Sequence, residues 1–339
     1  MHRLSDYDYD LPEDRIAQTP LQDRSSARLL VLRRPSGRVE HRRFTELPDL
    51  LEPGDLLVLN DTRVTAIRLE GRKPTGGKVE LLLLREERPG VYRALGKPGR
   101  SLRVGAKVEM AGGLAARVVA DLGAGLREVE FERTTGLVDR LFAVGSIPLP
   151  PYIHADIRDP GRYQTVYARE PGSSAAPTAG LHFTPELLEA LRAKGVGVAS
   201  VTLDIGLDTF RPVRADDLSH HRMHGERCGV GEEAANAINS CAGRIVAVGT
   251  TVVRTLETHA DGMRRVRPGE TVSHLFIRPG FRFQVVDCLL TNFHLPRTTM
   301  LMLVCALAGR ETVLRAYREA VCSNYRFLSF GDAMYITST

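Results

Sequence analysis

Between about Thr65 and Phe131 the chain repeats short β-like runs, KVELLLL, VYRAL, AKVEM, AARVVA and REVEF, separated by turns rich in Gly and Pro. No helical period runs through this stretch. Strands this short and this evenly punctuated bury their apolar faces best by closing on themselves, so the pattern predicts a small antiparallel barrel of five strands. It also excludes a dinucleotide-binding opening, since no strand-Gly-rich turn-helix unit precedes it.

The flanks read differently. LLVL at 29–32 and PGDLLVLNDTRV at 53–64 are apolar strands bounded by turn residues. A helix begins after Thr184, with Pro185 at its first position and Glu186 in its first turn. Beyond it, strands (VGVASVTLD, RIVAVG, TVSHLFI, QVVDCLLTNF) alternate with helices (EEAANAINSCA, VVRTLETHA, MLMLVCALAG, ETVLRAYREAV), and the chain closes on NYRFLSFGDAMYI. Alternation of this kind builds an α/β domain. The expected fold is therefore a mixed α/β domain made of 1–64 and 150–339, with residues 65–149 inserted as a smaller antiparallel β-barrel domain.

Composition narrows the function classes. At 339 residues, 43% apolar and 26% charged, the chain can bury two cores and is not a disordered one. MHRLSDYDYDLPEDR lacks the basic start and apolar run of a secretory leader, and no stretch is apolar over a membrane-spanning length. A cytoplasmic protein, without a membrane partner, is expected. Five cysteines without a CxxC pair argue for reduced thiols rather than a disulfide framework or a zinc ribbon. The net charge of +5 permits a polyanionic partner, and only five of the 46 basic residues are Lys, the rest being Arg. The planar guanidinium suits bidentate phosphate contacts, although genome composition or thermal adaptation is the leading explanation of such a bias, since surface Arg has many other uses.

Four segments can carry chemistry. Gly249-Thr250-Thr251 joins a strand to a helix, where free N–H groups and two hydroxyls meet either an anionic or ribose ligand or simply cap a turn; Arg254 one turn later favours an anion. PTAGLHFTP at 177–185 brings Gly180, His182 and Thr184 to a helix start. TNFHLPRTTM at 291–300 places Asn292 and His294 after an apolar strand, where α/β proteins bind ligands. LNDTRV offers Asp61 and Arg63. The segment His220, His221, His224, Glu226, Cys228 holds metal-ligand types, but its spacing matches no zinc pattern, and a solvated or substrate-contact loop without metal is expected.

Taken together and in order, PGDLLVLNDTRV, GGKVELLL, YQTVYA, APTAGLHFT, GTTVVRTLE, TNFHLP and YRFLSFGDAMYI make the chain, from about Tyr7 to Ile336, resemble the S-adenosylmethionine:tRNA ribosyltransferase-isomerase family of queuosine biosynthesis. The resemblance implies a bacterial enzyme that takes the ribosyl group of S-adenosylmethionine, consumed as a co-substrate; a monomer is expected, although nothing in the sequence reads the oligomeric state. The acceptor is tRNA with a GUN-type anticodon carrying 7-aminomethyl-7-deazaguanine at the wobble position. Epoxyqueuosine-tRNA, adenine and methionine are the implied products. A base removes a proton made acidic by the sulfonium, and the amine then attacks the opened sugar. On this reading His182, His294 and Asp61 are the catalytic candidates, the two histidines for proton transfer. Arg63, Thr178, Gly180, Thr184, Glu226, Thr250, Thr251, Arg254, Asn292, Tyr325 and Arg326 are the substrate-binding candidates. After Met223-His224 the chain departs from the family pattern with Gly225-Glu226-Arg227-Cys228, so only His224 and Glu226 carry over there. Arg33, Arg34, Arg38, Arg42 and Arg43 form a candidate tRNA-facing surface. Two rivals stay open: a tRNA-binding protein without activity, and a metal-dependent hydrolase built on the His220–Cys228 segment.

Overall fold

A computed structural model describes residues 3–34, 36–123, 125–132, 134–155, 157, 159–206, 218, 221 and 223–338. The chain forms two compact units, one of Met1–Thr62, Pro151–Glu170 and Ala176–Thr339, the other of Arg63–Pro150 and Pro171–Ala175. The second unit thus receives the chain twice, the second time for only a few residues.

In chain order the strands are β1 (Arg28–Arg33), β2 (Arg38–Arg43), β3 (Leu56–Asn60), β4 (Thr62–Val64), β5 (Ile67–Arg72), β6 (Lys78–Arg88), β7 (Val91–Lys97), β8 (Lys107–Met110), β9 (Ala115–Gly123) and β10 (Leu126–Phe131). They continue with β11 (Glu170–Ser173), β12 (Gly197–Leu203), β13 (Glu226–Val230), β14 (Ile245–Val248), β15 (Gly269–Ser273), β16 (Cys288–Asn292) and β17 (Ala333–Thr337). The helices are α1 (Leu47–Leu50), α2 (Leu137–Val144), α3 (Pro185–Ala193), α4 (Glu232–Ser240), α5 (Thr250–His259), α6 (Thr299–Ala308) and α7 (Arg310–Cys322).

The first unit is built on a nine-stranded sheet in the order β15-β13-β12-β3-β14-β16-β17-β1-β2. Its centre, β12, β3, β14 and β16, is parallel, and β13, β17 and β2 join antiparallel neighbours. Both faces are covered, and that explains the unbroken apolar runs of the sequence. In β3, Leu56 and Val58 enter one core with α4, α5, α6 and α7, while Leu57 and Leu59 enter the other with α3 and Phe44. β1 divides in the same way, Leu30 and Leu32 against Leu29 and Val31.

The second unit is a closed antiparallel barrel, β10-β7-β6-β5-β8-β9, with its own apolar core and α2. It has six strands where five were expected. The missed strand, β5, shows only Ile67 and Leu69 before Gly71 breaks the alternation, too short a pattern to declare itself. The segment read as a polar run also contains a strand, β13, whose Glu226, Cys228 and Val230 are buried while Arg227 is exposed. Its inward positions include a carboxylate, and this hid the alternation.

Candidate functional site

Ligands of α/β proteins collect where the carboxyl ends of parallel strands meet helix starts. Here the ends of β12, β14 and β16 open on one pocket, with a cavity volume of about 70 Å³. Ile205 follows β12, Gly249, Thr250 and Thr251 follow β14, and Thr291, Asn292 and His294 close β16; Thr178 enters from the TAGLH turn. Ala176, Pro177, Phe293, Leu295, Met300 and Leu328 make the apolar walls. The mix of apolar wall and a few convergent polar groups is that of a small-molecule site.

Most of these polar groups are held from behind. Gly249 takes φ +91°, a conformation that L side chains rarely adopt, and with no side chain it leaves the first N–H groups of α5 uncapped at the pocket. Buried Asn60 at the end of β3 receives N–H bonds from Thr62 (3.2 Å) and Leu203 (3.0 Å), and donates to the Leu203 carbonyl (3.1 Å) and Thr251 Oγ1 (3.3 Å). It thereby ties β3, β12 and the start of α5 together. Thr178 Oγ1 donates to Asn292 Oδ1 at 2.9 Å, and Asn292 Nδ2 lies 3.4 Å from His182 Nε2. The His294 ring meets Thr291 Oγ1 at 2.9 Å, its carbonyl accepts from Tyr9 (2.5 Å), and its N–H donates to the Tyr317 hydroxyl (3.2 Å). Burial lowers the pKa of both His182 and His294 to about 4, with Arg24 and Arg326 adding to the effect at His182. Both imidazoles are neutral at pH 7. Neither can donate from an imidazolium there.

The two histidines differ in place. His294 lines the pocket, whereas His182 lies behind Asn292, its ring 5.0 Å from that of Phe44 and bordering a small separate cavity with Arg24 and Arg162. Gly180 does not line the pocket; a Cβ there would overlap the Tyr167 hydroxyl and stand 3.0 Å from Thr165 Cγ2. Thr184 caps α3, accepting from Leu187 N–H at 3.2 Å.

Asp61 faces elsewhere. It accepts from Thr202 Oγ1 (2.8 Å) and Arg169 (2.9 Å) and lines a cleft of about 710 Å³ with Arg227 and Glu232. Burial pushes its carboxyl above the ordinary range, against the Thr202 hydrogen bond and the Arg169 charge. Arg63 is an exposed residue of the second unit. Arg254 is engaged with Glu226 in a buried ion pair and donates to the Ser273 carbonyl at 3.1 Å, so the anion it meets is a side chain of the protein. The Tyr325 hydroxyl meets His41 Nδ1 at 2.8 Å, with the Arg28 guanidinium over its ring at 3.7 Å. Arg326 donates to the Thr19 carbonyl, and Asp332 receives the N–H groups of Arg28 and Arg326, both at 2.8 Å.

His220 lies outside the described residues. His221 packs on Phe276, Glu226 is paired with Arg254, and Cys228 Sγ sits 3.9 Å from His259 Nε2. Among the described residues no group of three or more His, Cys, Asp or Glu could hold a metal ion, and no helix is long and apolar enough to cross a membrane. The pocket also uses residues not singled out from the sequence: Asn60 behind it, and Thr291, Thr298, Tyr152 and Ser329 along it. Thr291 and Thr298 lie inside TNFHLPRTTM and Ser329 inside YRFLSFGDAMYI, whereas Asn60 shows as an amide ending an otherwise apolar strand.

A family model described as queuosine biosynthesis protein matches residues 4–336. This chain belongs to that family. It is 53% identical to the S-adenosylmethionine:tRNA ribosyltransferase-isomerase of Symbiobacterium thermophilum, over 98% of this chain and 99% of that protein. It is 52% identical to the protein of the same name from Moorella thermoacetica, with the same coverage of 98% and 99%. Among solved structures it resembles the S-adenosylmethionine tRNA ribosyltransferase of Thermotoga maritima, with a TM-score of 0.56 and 39% identity over 98% of this chain and 100% of that one.

Proposed function

We propose that this protein transfers and isomerises the ribosyl group of S-adenosylmethionine onto 7-aminomethyl-7-deazaguanine at the wobble position of tRNA with a GUN-type anticodon, in the cytoplasm, releasing adenine and methionine. The observation that carries the reading is the meeting of TAGLH and TNFHL, from two of the motifs that carry the family resemblance, in one pocket through the Thr178–Asn292 hydrogen bond. The near full-length identity to proteins named for this activity supports it. S-adenosylmethionine is taken as the ligand that reaches this pocket. A cavity of about 70 Å³ holds only part of the molecule, and its hydroxyls and amide suit the ribose, with the uncapped start of α5 beside them for an anionic group.

His294 is the proton-transfer candidate that faces this ligand. Being neutral, it can accept a proton at pH 7, and its contact with Thr291 orients the ring. An apolar enclosure also keeps water from the opened sugar.

The test is mass spectrometry of an anticodon stem-loop bearing the aminomethyl-deazaguanine after incubation with the protein and S-adenosylmethionine. A mass gain equal to the epoxycyclopentanediol group, with free adenine and methionine, is expected. Verified substrates left unchanged would favour a binding protein without activity.

A further inference from the structure

Asn292 sits between two partners that constrain it in opposite senses. Its Oδ1 can only accept, so the Thr178 hydroxyl at 2.9 Å must donate to it. Its Nδ2 can only donate, so His182 Nε2 at 3.4 Å must be the acceptor and carry no proton. The remaining ring proton is then on Nδ1, and a hydrogen bond links this ring to the Arg24 backbone. Phe44 packs on the imidazole at 5.0 Å between centroids and holds its plane. His182 itself does not reach the pocket; Thr178 and Asn292 do.

We infer that His182 is a positioning residue: through Asn292 it sets the hydrogen-bond polarity of the pocket wall, so that Thr178 presents lone pairs and Asn292 its second N–H to the ligand. A wall of one acceptor beside one donor takes a group that offers the reverse pair, as the edge of an aminopurine or a ribose cis-diol does. The charged groups near the ring, Arg24 and Arg326, act with burial to keep it neutral and so keep the polarity constant. Were the imidazole protonated, the amide would have to turn over, and Thr178 would be forced to accept instead of donate.

This inference rests on the pocket being the reaction site. The test compares H182Q, H182L, T178V and the H182L/T178V pair by steady-state kinetics with S-adenosylmethionine and the tRNA substrate, with the melting temperature of each variant recorded. Glutamine keeps an acceptor oxygen for Asn292 but cannot act as a base at pH 7. H182Q should therefore stay within about threefold of wild type in kcat/KM, with a pH profile of unchanged shape, while H182L, leaving a buried N–H unsatisfied, should lose about tenfold or more. H182L and T178V should combine less than additively, since both act through one amide. H182Q as inactive as H182L at a wild-type melting temperature, or a pH profile that loses one limb, would make His182 a proton-transfer group and overturn the inference. Folded H182L and T178V that both turn over at the wild-type rate would instead overturn the placement of the site, and the inference with it.

Discussion

At the scale of single residues, burial governs behaviour. His182 and His294 stay neutral because the fold lowers their pKa to about 4, whereas imidazoles of the unfolded chain titrate near ~6.5. Between those values the unfolded chain binds protons that the native protein refuses. Stability is therefore complete above about pH 6.5 and is lost as the pH falls towards about 4, each histidine adding about 1.4 kcal/mol per pH unit to the slope. His182→Gln and His294→Gln should each flatten that slope by one proton in urea unfolding across this window; a slope unchanged in both would mean that the imidazoles are not neutral in the native state. Gly180 makes a steric prediction. A side chain there overlaps the Tyr167 hydroxyl, with the ring carbon behind it 2.9 Å away, so Gly180→Ala should cost about 1–3 kcal/mol. Adding Tyr167→Phe should recover part of that in denaturant melts, and strict additivity would show that the two positions do not share the space.

At the scale of elements, α5 carries the pocket's helix start at one end and is pinned to β13 by the ion pair of Arg254 with Glu226, both buried. Glu226 also receives the Gly206 N–H at 3.0 Å. Arg254→Met takes the guanidinium away from a buried carboxylate and should destabilise by about 3–5 kcal/mol, while E226Q/R254M should cost less than the single change. Equal losses in chemical unfolding would mean that the charge itself is not what the pair neutralises. The same pair shows where reading the sequence stops. Strands with apolar faces on both sides, such as β3 and β14, and helices with caps, such as α3, are written in local pattern. So were the motifs that line the pocket. Arg254 looked like an anion site because it follows Thr250 by one turn, and only tertiary packing brings Glu226 from a distant strand to meet it. Asp61 and Asn60 are adjacent in sequence, yet the pleat sends one to the Arg169 cleft and the other behind Thr251, a division that depends on which neighbouring strand each side chain meets.

At the scale of the whole molecule, the excess of Arg has to be weighed against what each guanidinium already touches. Of the five arginines near the first hairpin, Arg33 is 2.7 Å from Glu40, and Arg42 lies 3.3 Å from Glu40 and 3.4 Å from Glu46. Arg34 is folded onto the carbonyls of Leu307 (3.3 Å) and Asp287 (2.6 Å). Arg38, with its side chain 71% exposed and 3.8 Å from Glu40, and the exposed Arg43 are the two left with most freedom to meet a phosphate. This face can therefore supply only a small share of the electrostatics that a tRNA needs. Binding of the tRNA substrate should weaken linearly with salt on a log–log scale, because each phosphate neutralised releases condensed counterions. R38A/R43A should reduce that slope by at most about two units, roughly one per phosphate contact removed. Filter binding or anisotropy across a salt series reads both quantities. A variant that lost nearly the whole slope would make β2 the principal tRNA-facing surface, and the carboxylates of Glu40 and Glu46 would then have to give up their arginines when tRNA docks.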